Sequence, residues 1–106
     1  MTDATVNLVT IDTLENAQAL ANALVERKLA ACVNIVPGLL SVYEWKGERC
    51  QESELLLVIK SRRELFDDLE AAIRELHPYS VPEILALDVA RGHQPYLDWL
   101  LANTMA

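Results

Sequence analysis

The apolar and polar positions of this chain alternate at two periods, close to 2 and close to 3.6, and the switches between them divide it into secondary-structure elements. Thr5-Val6-Asn7-Leu8-Val9-Thr10-Ile11 is rich in β-branched residues and predicts a first strand. Asp12 and Glu15 then stand at capping-box spacing. From Thr13 to about Lys28 the residues Ala17, Leu20, Ala21, Leu24 and Val25 recur at helical spacing, which predicts an amphipathic helix. Ala31 to Val36 predicts a second strand. Pro37-Gly38 interrupts it, and Leu39 to Trp45 resumes the extended pattern, as expected for a bulge or kink on an edge strand. Lys46-Gly47-Glu48 predicts a hairpin turn, and Ser53 to Lys60 the returning strand, with the run Leu55-Leu56-Leu57-Val58-Ile59.

Ser61-Arg62-Arg63-Glu64 matches a capping box and opens a second helix that ends before Pro78. Its apolar stripe is Leu65, Phe66, Leu69, Ala72, Ile73 and Leu76. Ile84 to Val89 predicts a fourth strand, broken at Gly92. Pro95 suits the first turn of a last helix, whose apolar positions are Tyr96, Leu97, Trp99, Leu100 and Leu101. The order β-α-β-β-α-β plus a terminal helix predicts an α+β, ferredoxin-like split β-α-β sandwich, with both main helices on one sheet face. No internal repeat or low-complexity tract is visible, and residues 1–106 are expected to form a single domain.

The central hairpin is long for such a domain. The 15 residues from Ala31 to Trp45 span about 50 Å at roughly 3.3 Å per residue, against a radius of gyration near ~13 Å. Its distal half is expected to protrude past the helices, yet it carries Leu39, Leu40, Val42, Tyr43 and Trp45. An isolated two-stranded ribbon is marginal in water. Sister subunits are the simplest support, with Tyr43 and Trp45 as interface residues. The alternative is a strand folded back at Pro37-Gly38 onto its own domain.

Composition narrows the function. An apolar fraction of 52% and a charged fraction of 24% are ordinary for a globular chain. A formal charge of −7 with no basic stripe speaks against nucleic-acid binding. The longest uncharged stretch, Leu29 to Tyr43, is too short for a membrane span. Met1-Thr2-Asp3-Ala4 has no signal-peptide character, so a cytoplasmic location is expected. Cys32 and Cys50 stand at no zinc or redox spacing, and in the cytosol they are expected to stay free thiols.

Several stretches in order along the chain resemble the CutA family of divalent-cation tolerance proteins. They are Lys28-Leu29-Ala30-Ala31-Cys32-Val33-Asn34-Ile35-Val36-Pro37-Gly38, then Ser41-Val42-Tyr43-Glu44-Trp45-Lys46-Gly47, then Val58-Ile59-Lys60-Ser61. His77-Pro78-Tyr79-Ser80-Val81-Pro82-Glu83-Ile84, the sharpest of them, and Tyr96-Leu97-Asp98-Trp99-Leu100 complete the set. The resemblance implies a homotrimer of ferredoxin-like subunits with hairpins crossing between neighbours, an architecture similar to the PII signalling proteins. It also implies a part in the response to metal ions, with Cu(II) or a similar divalent cation as ligand and no cofactor required for folding.

Carried onto these residues, the resemblance selects His77 as a metal-ligating candidate; Cys32, whose thiolate suits a soft metal, and Glu83, a carboxylate at the start of the fourth strand, join it on their own chemistry. The resemblance also selects Lys60, Tyr79, Glu83 and Trp99 as candidates for an intersubunit cleft. Neutral imidazole and thiolate are both good ligands for copper. The metal set drawn in some relatives adds a histidine just before the one matching His77 and a first-strand cysteine; Leu76 and Val9 stand at those positions here. Competing roles are a helix end for His77, a small buried hydrophobe for Cys32 and an ion pair with Lys60 for Glu83. The alternative function is a PII-like trimer that senses a small molecule in its cleft. No nucleophile elbow, phosphate loop or paired metal motif is present, Ser61 is taken up by capping and His93 by a solvent loop, so the chain is not expected to be an enzyme.

Overall fold

The computed structural model describes residues 2–104. In chain order the elements are β1 (Ala4–Ile11), α1 (Leu14–Glu26), β2 (Cys32–Trp45), β3 (Glu48–Arg62), a 3-10 turn (Arg63–Leu65), α2 (Phe66–Leu76), β4 (Leu85–Asp88) and α3 (Gln94–Ala102). The strands form one sheet in the order β2-β3-β1-β4, every neighbouring pair antiparallel. This arrangement is compatible with the ferredoxin-like description.

Strand residues point alternately to the two faces of a sheet. On one face Val9 and Ile11 of β1 and Leu55, Leu57 and Ile59 of β3 pack against Ala17, Leu20 and Leu24 of α1 and Leu69, Ala72 and Ile73 of α2. That layer is the main core. At one end of the sheet Leu97 and Leu100 of α3 pack on Ala4 and Ala31.

The opposite face is also apolar. Register places Leu85, Leu8 and Val58 in one row across it, and Thr10, Leu56 and Val36 in another. Leu87 lies beside Val6. α1 and α2 lie on the other side, and Val36, Leu85 and Leu87 stay 43%, 54% and 51% exposed. Parallel or antiparallel, a strand with an unbroken apolar run is built for cover on both faces.

The hairpin is continuous where the sequence suggested a break. Val36 pairs with Leu56 and Leu39 with Glu54, so Pro37 and Gly38 together oppose Leu55 in a bulge. Gly38 has φ +81°, a left-handed conformation that glycine takes without a Cβ penalty. The extra residue flips the alternation. Before the bulge Cys32, Asn34 and Val36 occupy the open face; beyond it Leu39, Ser41, Tyr43 and Trp45 do, opposite Glu54, Glu52, Cys50 and Glu48. The turn is Lys46-Gly47, with φ +51° and +82°, the double positive φ of a type I′ hairpin. No residue from 37 to 53 is buried, and the molecule is 44 Å long against 25 and 23 Å across.

Four local expectations need correction. α1 is capped by Thr13, whose hydroxyl accepts the Asn16 N–H at 3.1 Å, rather than by Asp12. Its C-terminus closes on Lys28 at φ +62°, with Lys28 N–H to the Val25 carbonyl and Leu29 N–H to the Leu24 carbonyl. That is a Schellman pattern with lysine in the place usual for glycine. β3 starts at Glu48, because the ribbon pairs down to its tip, and it runs on to Arg62. Ser61 is therefore a strand residue, fully buried, and its hydroxyl donates to the Leu29 carbonyl at 2.7 Å; it does not cap α2, which a 3-10 turn precedes.

Losing that buried hydrogen bond leaves the Leu29 carbonyl without its side-chain donor. Ser61→Ala is expected to lower stability by about 1–2 kcal/mol, read from urea unfolding at fixed protein concentration. An unchanged midpoint would place Ser61 outside the packing of the core.

Candidate functional site

Two groups of polar residues lie on or beside the open face. The first is a cleft of about 620 Å³ between the distal hairpin and the segment that follows α2. Its lining includes Tyr43, Trp45, Glu52, Glu54, Tyr79 and Glu83. α2 stops because His77 turns extended (φ −81°, ψ 138°) ahead of Pro78. The His77 ring then anchors the segment: Nε2 donates to the Thr10 carbonyl at 2.7 Å, and Nδ1 accepts the Tyr79 backbone N–H at 3.1 Å. The ring is only 7% exposed and packs on the Tyr79 ring, with centroids 4.6 Å apart.

This anchoring aims Tyr79 at β3, where its hydroxyl donates to Glu54 Oε2 at 2.7 Å. Two residues along the same strand face, the Tyr43 hydroxyl donates to Glu52 Oε1. Two tyrosine–glutamate pairs thus stand side by side. Burial, with the Glu54 hydrogen bond second, holds the Tyr79 phenol well above its ordinary value. The bond to Glu52 pushes Tyr43 up to about 12. Burial, with a smaller Coulombic contribution from Cys32, also raises Tyr96.

The second group lies opposite β1 on β2 and β3. Cys32 and Lys60 are cross-strand partners, with Nζ 3.9 Å from Sγ, and Lys60 Nζ also donates to Asn34 Oδ1. Of the residues expected at an intersubunit cleft, Tyr79 and Glu83 meet in the observed cleft. Lys60 lies with Cys32, and Trp99 is on α3, 45% exposed against Tyr96. Glu83 precedes β4 instead of opening it and forms no ion pair with Lys60. Cys50 pairs with Tyr43, and both cysteines are free. Glu52 and Glu54 went unrecognised in the sequence; the signal was their two-residue spacing, but which face it served depends on the bulge.

The three metal-ligating candidates do not converge. Cys32 is level with Lys60 and Thr10 with Leu56, four strand residues or roughly 13 Å apart, and His77 is tied to Thr10. Both His77 nitrogens are already engaged. Among the described residues no three His, Cys, Asp or Glu side chains are grouped to hold a metal ion. Within one chain these donors do not fit a closed metal site. No helix among the described residues is long and apolar enough to cross a membrane.

Fold and site together describe a small α+β protein with a long ribbon, an uncovered apolar sheet face and an anionic, aromatic cleft. The family model for the CutA1 divalent ion tolerance protein matches residues 5–103. The divalent-cation tolerance protein CutA of Thermus thermophilus is 53% identical over 97 residues, covering 92% of this chain and 94% of that one. The chloroplastic CutA of Arabidopsis thaliana is 48% identical over 96 residues, and these span 91% of this chain but 53% of that longer protein. A solved divalent cation tolerance protein of Thermus thermophilus superposes with a TM-score of 0.94 at 51% identity, over 96% of this chain and 99% of that one. The chain belongs to the CutA1 divalent ion tolerance family. The family is named for ion tolerance and not for a reaction.

The raised phenols make a prediction. A tyrosine whose native value lies above its unfolded value near 10 stabilises the fold fully below pH 10, and the contribution is lost as pH climbs through the native value. Ultraviolet titration of the native protein should show tyrosines ionising late, with the latest phase absent in Tyr79→Phe. All three tyrosines titrating together near 10 would dissolve the two tyrosine–glutamate pairs.

Proposed function

We propose that the protein is a homotrimeric divalent-cation tolerance protein of the cytoplasm that works by binding and assembly and not by catalysis. Family membership supports the metal response. The observation that carries the trimer is the sheet face on which Leu8, Leu56, Val58, Leu85 and Leu87 lie without a covering helix. Apolar surface of that extent is favoured to leave water, at roughly 25 cal/mol per Å². The sheet also ends in two unlike edges, β2 and β4. A β2 edge meeting a β4 edge is a head-to-tail contact, the kind that gives a ring when its rotation closes. Tyr43 and Trp45, 39% and 47% exposed beyond the bulge, extend the same face along the ribbon.

For the metal, Cu(II) or a similar divalent ion, we take Cys32 and Glu83 as donors. Cys32 lies on the face that sister chains cover, where ligands from several copies can meet. His77 is kept as the anchor of the Tyr79 segment, since a metal at either ring nitrogen would have to displace a hydrogen bond.

Sedimentation velocity on Leu87→Asp and Trp45→Asp is expected to show the trimer weakened, because each places a charge in an apolar contact. An intact trimer in both removes this interface. In equilibrium dialysis with Cu(II), Cys32→Ala should bind at least about tenfold more weakly than the wild type, and His77→Ala should bind equally well. Equal binding by Cys32→Ala would end the metal assignment.

A further inference from the structure

His77 holds down a part of the chain that has little else to hold it. It is the only buried residue between Ile73 and Leu97. From Pro78 to Glu83 the chain has no helix or strand, and none of these residues is buried. Their hydrogen bonds among the described residues are both made by Tyr79: its backbone N–H to His77 Nδ1 at 3.1 Å, and its hydroxyl to Glu54 Oε2 at 2.7 Å. A stretch with so few buried contacts opens at low free-energy cost. Its two ends are fixed independently. The His77 N–H closes α2 on the Ile73 carbonyl at 2.8 Å, and Ile84 packs against the main core.

The two ring bonds define the protonation state of the imidazole. The Thr10 carbonyl can only accept, so Nε2 carries the proton; the Tyr79 backbone N–H can only donate, so Nδ1 carries none. A second proton, on Nδ1, sets N–H against N–H, and the bond to Tyr79 cannot survive it. The bond to Thr10 can, because Nε2 is still a donor. Acid therefore cuts the link between ring and segment and leaves the ring tied to β1. The titratable groups on the surrounding elements are Tyr79 itself, Glu52 and Glu54 of β3, and Asp12 after β1, all of which act on Tyr79. The last turn of α2 adds Arg74 and Glu75, and Glu75 pairs with Arg27 at the end of α1. None of these side chains hydrogen-bonds to the ring, so none replaces the lost bond.

We infer that His77 is an acid-released latch: as a neutral imidazole it pins the Tyr79 segment to β1, and a proton on Nδ1 frees residues 78–83 while the rest of the fold stays in place. The pinned form binds one proton fewer than the released form, so a fall in pH favours release. Histidine is the side chain whose ordinary change of charge falls between about pH 5 and pH 8. Neither Cys32 nor Glu83 hydrogen-bonds to the ring, and both ring bonds are made within one chain. The latch therefore stands apart from the metal assignment and from assembly.

The chain has 2 histidines, and His93, exposed ahead of α3, is the internal control. Nuclear magnetic resonance of the ring nitrogens and of the Tyr79 amide, from about pH 8 to about pH 5.5, tests the latch on the intact chain, above its pI of about 4.7. At the upper end His77 should carry its proton on Nε2, with the Tyr79 amide protected from exchange. As His77 takes its second proton, that protection, measured against the intrinsic rate, should fall at least about tenfold, while the amides of β1 and β3 keep theirs. His93→Gln should behave as the wild type. His77→Gln should leave the Tyr79 amide unprotected at both ends of the range; where it fails to fold, the wild-type titration alone decides. A Tyr79 amide that stays protected while the His77 ring becomes charged overturns the inference. So does a His77 ring that stays neutral down to about pH 5.5, or a loss of protection shared by β1 and β3, which marks unfolding of the whole domain.

Discussion

The structure turns on one imbalance: its sheet is apolar on both faces, and α1 and α2 cover only one of them. β1 and β3, the two central strands, alternate between a fully buried side, with Val9, Leu57 and Ile59, and a side that is nearly as apolar, with Val6, Leu8, Leu56 and Val58. β4 adds Leu85 and Leu87 to the uncovered side. A chain of 106 residues buries enough surface to fold, but not enough to hide this second face as well. The proposed association would draw on the hydrophobic effect without any special contact. It would also give the long ribbon a partner along its length.

The bulge at Pro37-Gly38 links this constraint to chemistry. Without the extra residue, Leu40 and Val42 would share the open face, and Tyr43 and Trp45 would point the other way. With it, Tyr43 meets Glu52 on the side where Tyr79, carried by the His77 anchor, meets Glu54. One backbone irregularity and one buried imidazole therefore assemble the cleft from β2, β3 and the segment after α2. His77 serves this arrangement as a two-sided hydrogen-bonding strut, which explains why a histidine suits the position even without a metal.

Most of the element order was legible in the sequence, because the β-branched run of β1 and the 3.6-residue stripes of α1 and α2 are strong local signals. The misreadings fell where tertiary contacts override local spacing. Ser61 and Glu64 stand at capping distance, yet Ser61 belongs to a strand that pairs on to Arg62 and needs its hydroxyl for Leu29. Thr13 caps α1 because the chain is already extended there (φ −132°, ψ 157°). Tyr79 and Glu83 were recognisable in their motif. Glu52 and Glu54 were not, since their face is set by a bulge on the neighbouring strand. The run from Leu55 to Ile59 did announce two apolar faces, but only the register with β1 and β4 shows which residues share the open one.

Sedimentation equilibrium of the unmodified protein at micromolar concentration tests the central claim most directly. Cover of the open face by sister chains predicts a single species at three times 11.9 kDa. A folded, cooperatively melting particle at 11.9 kDa itself would contradict it.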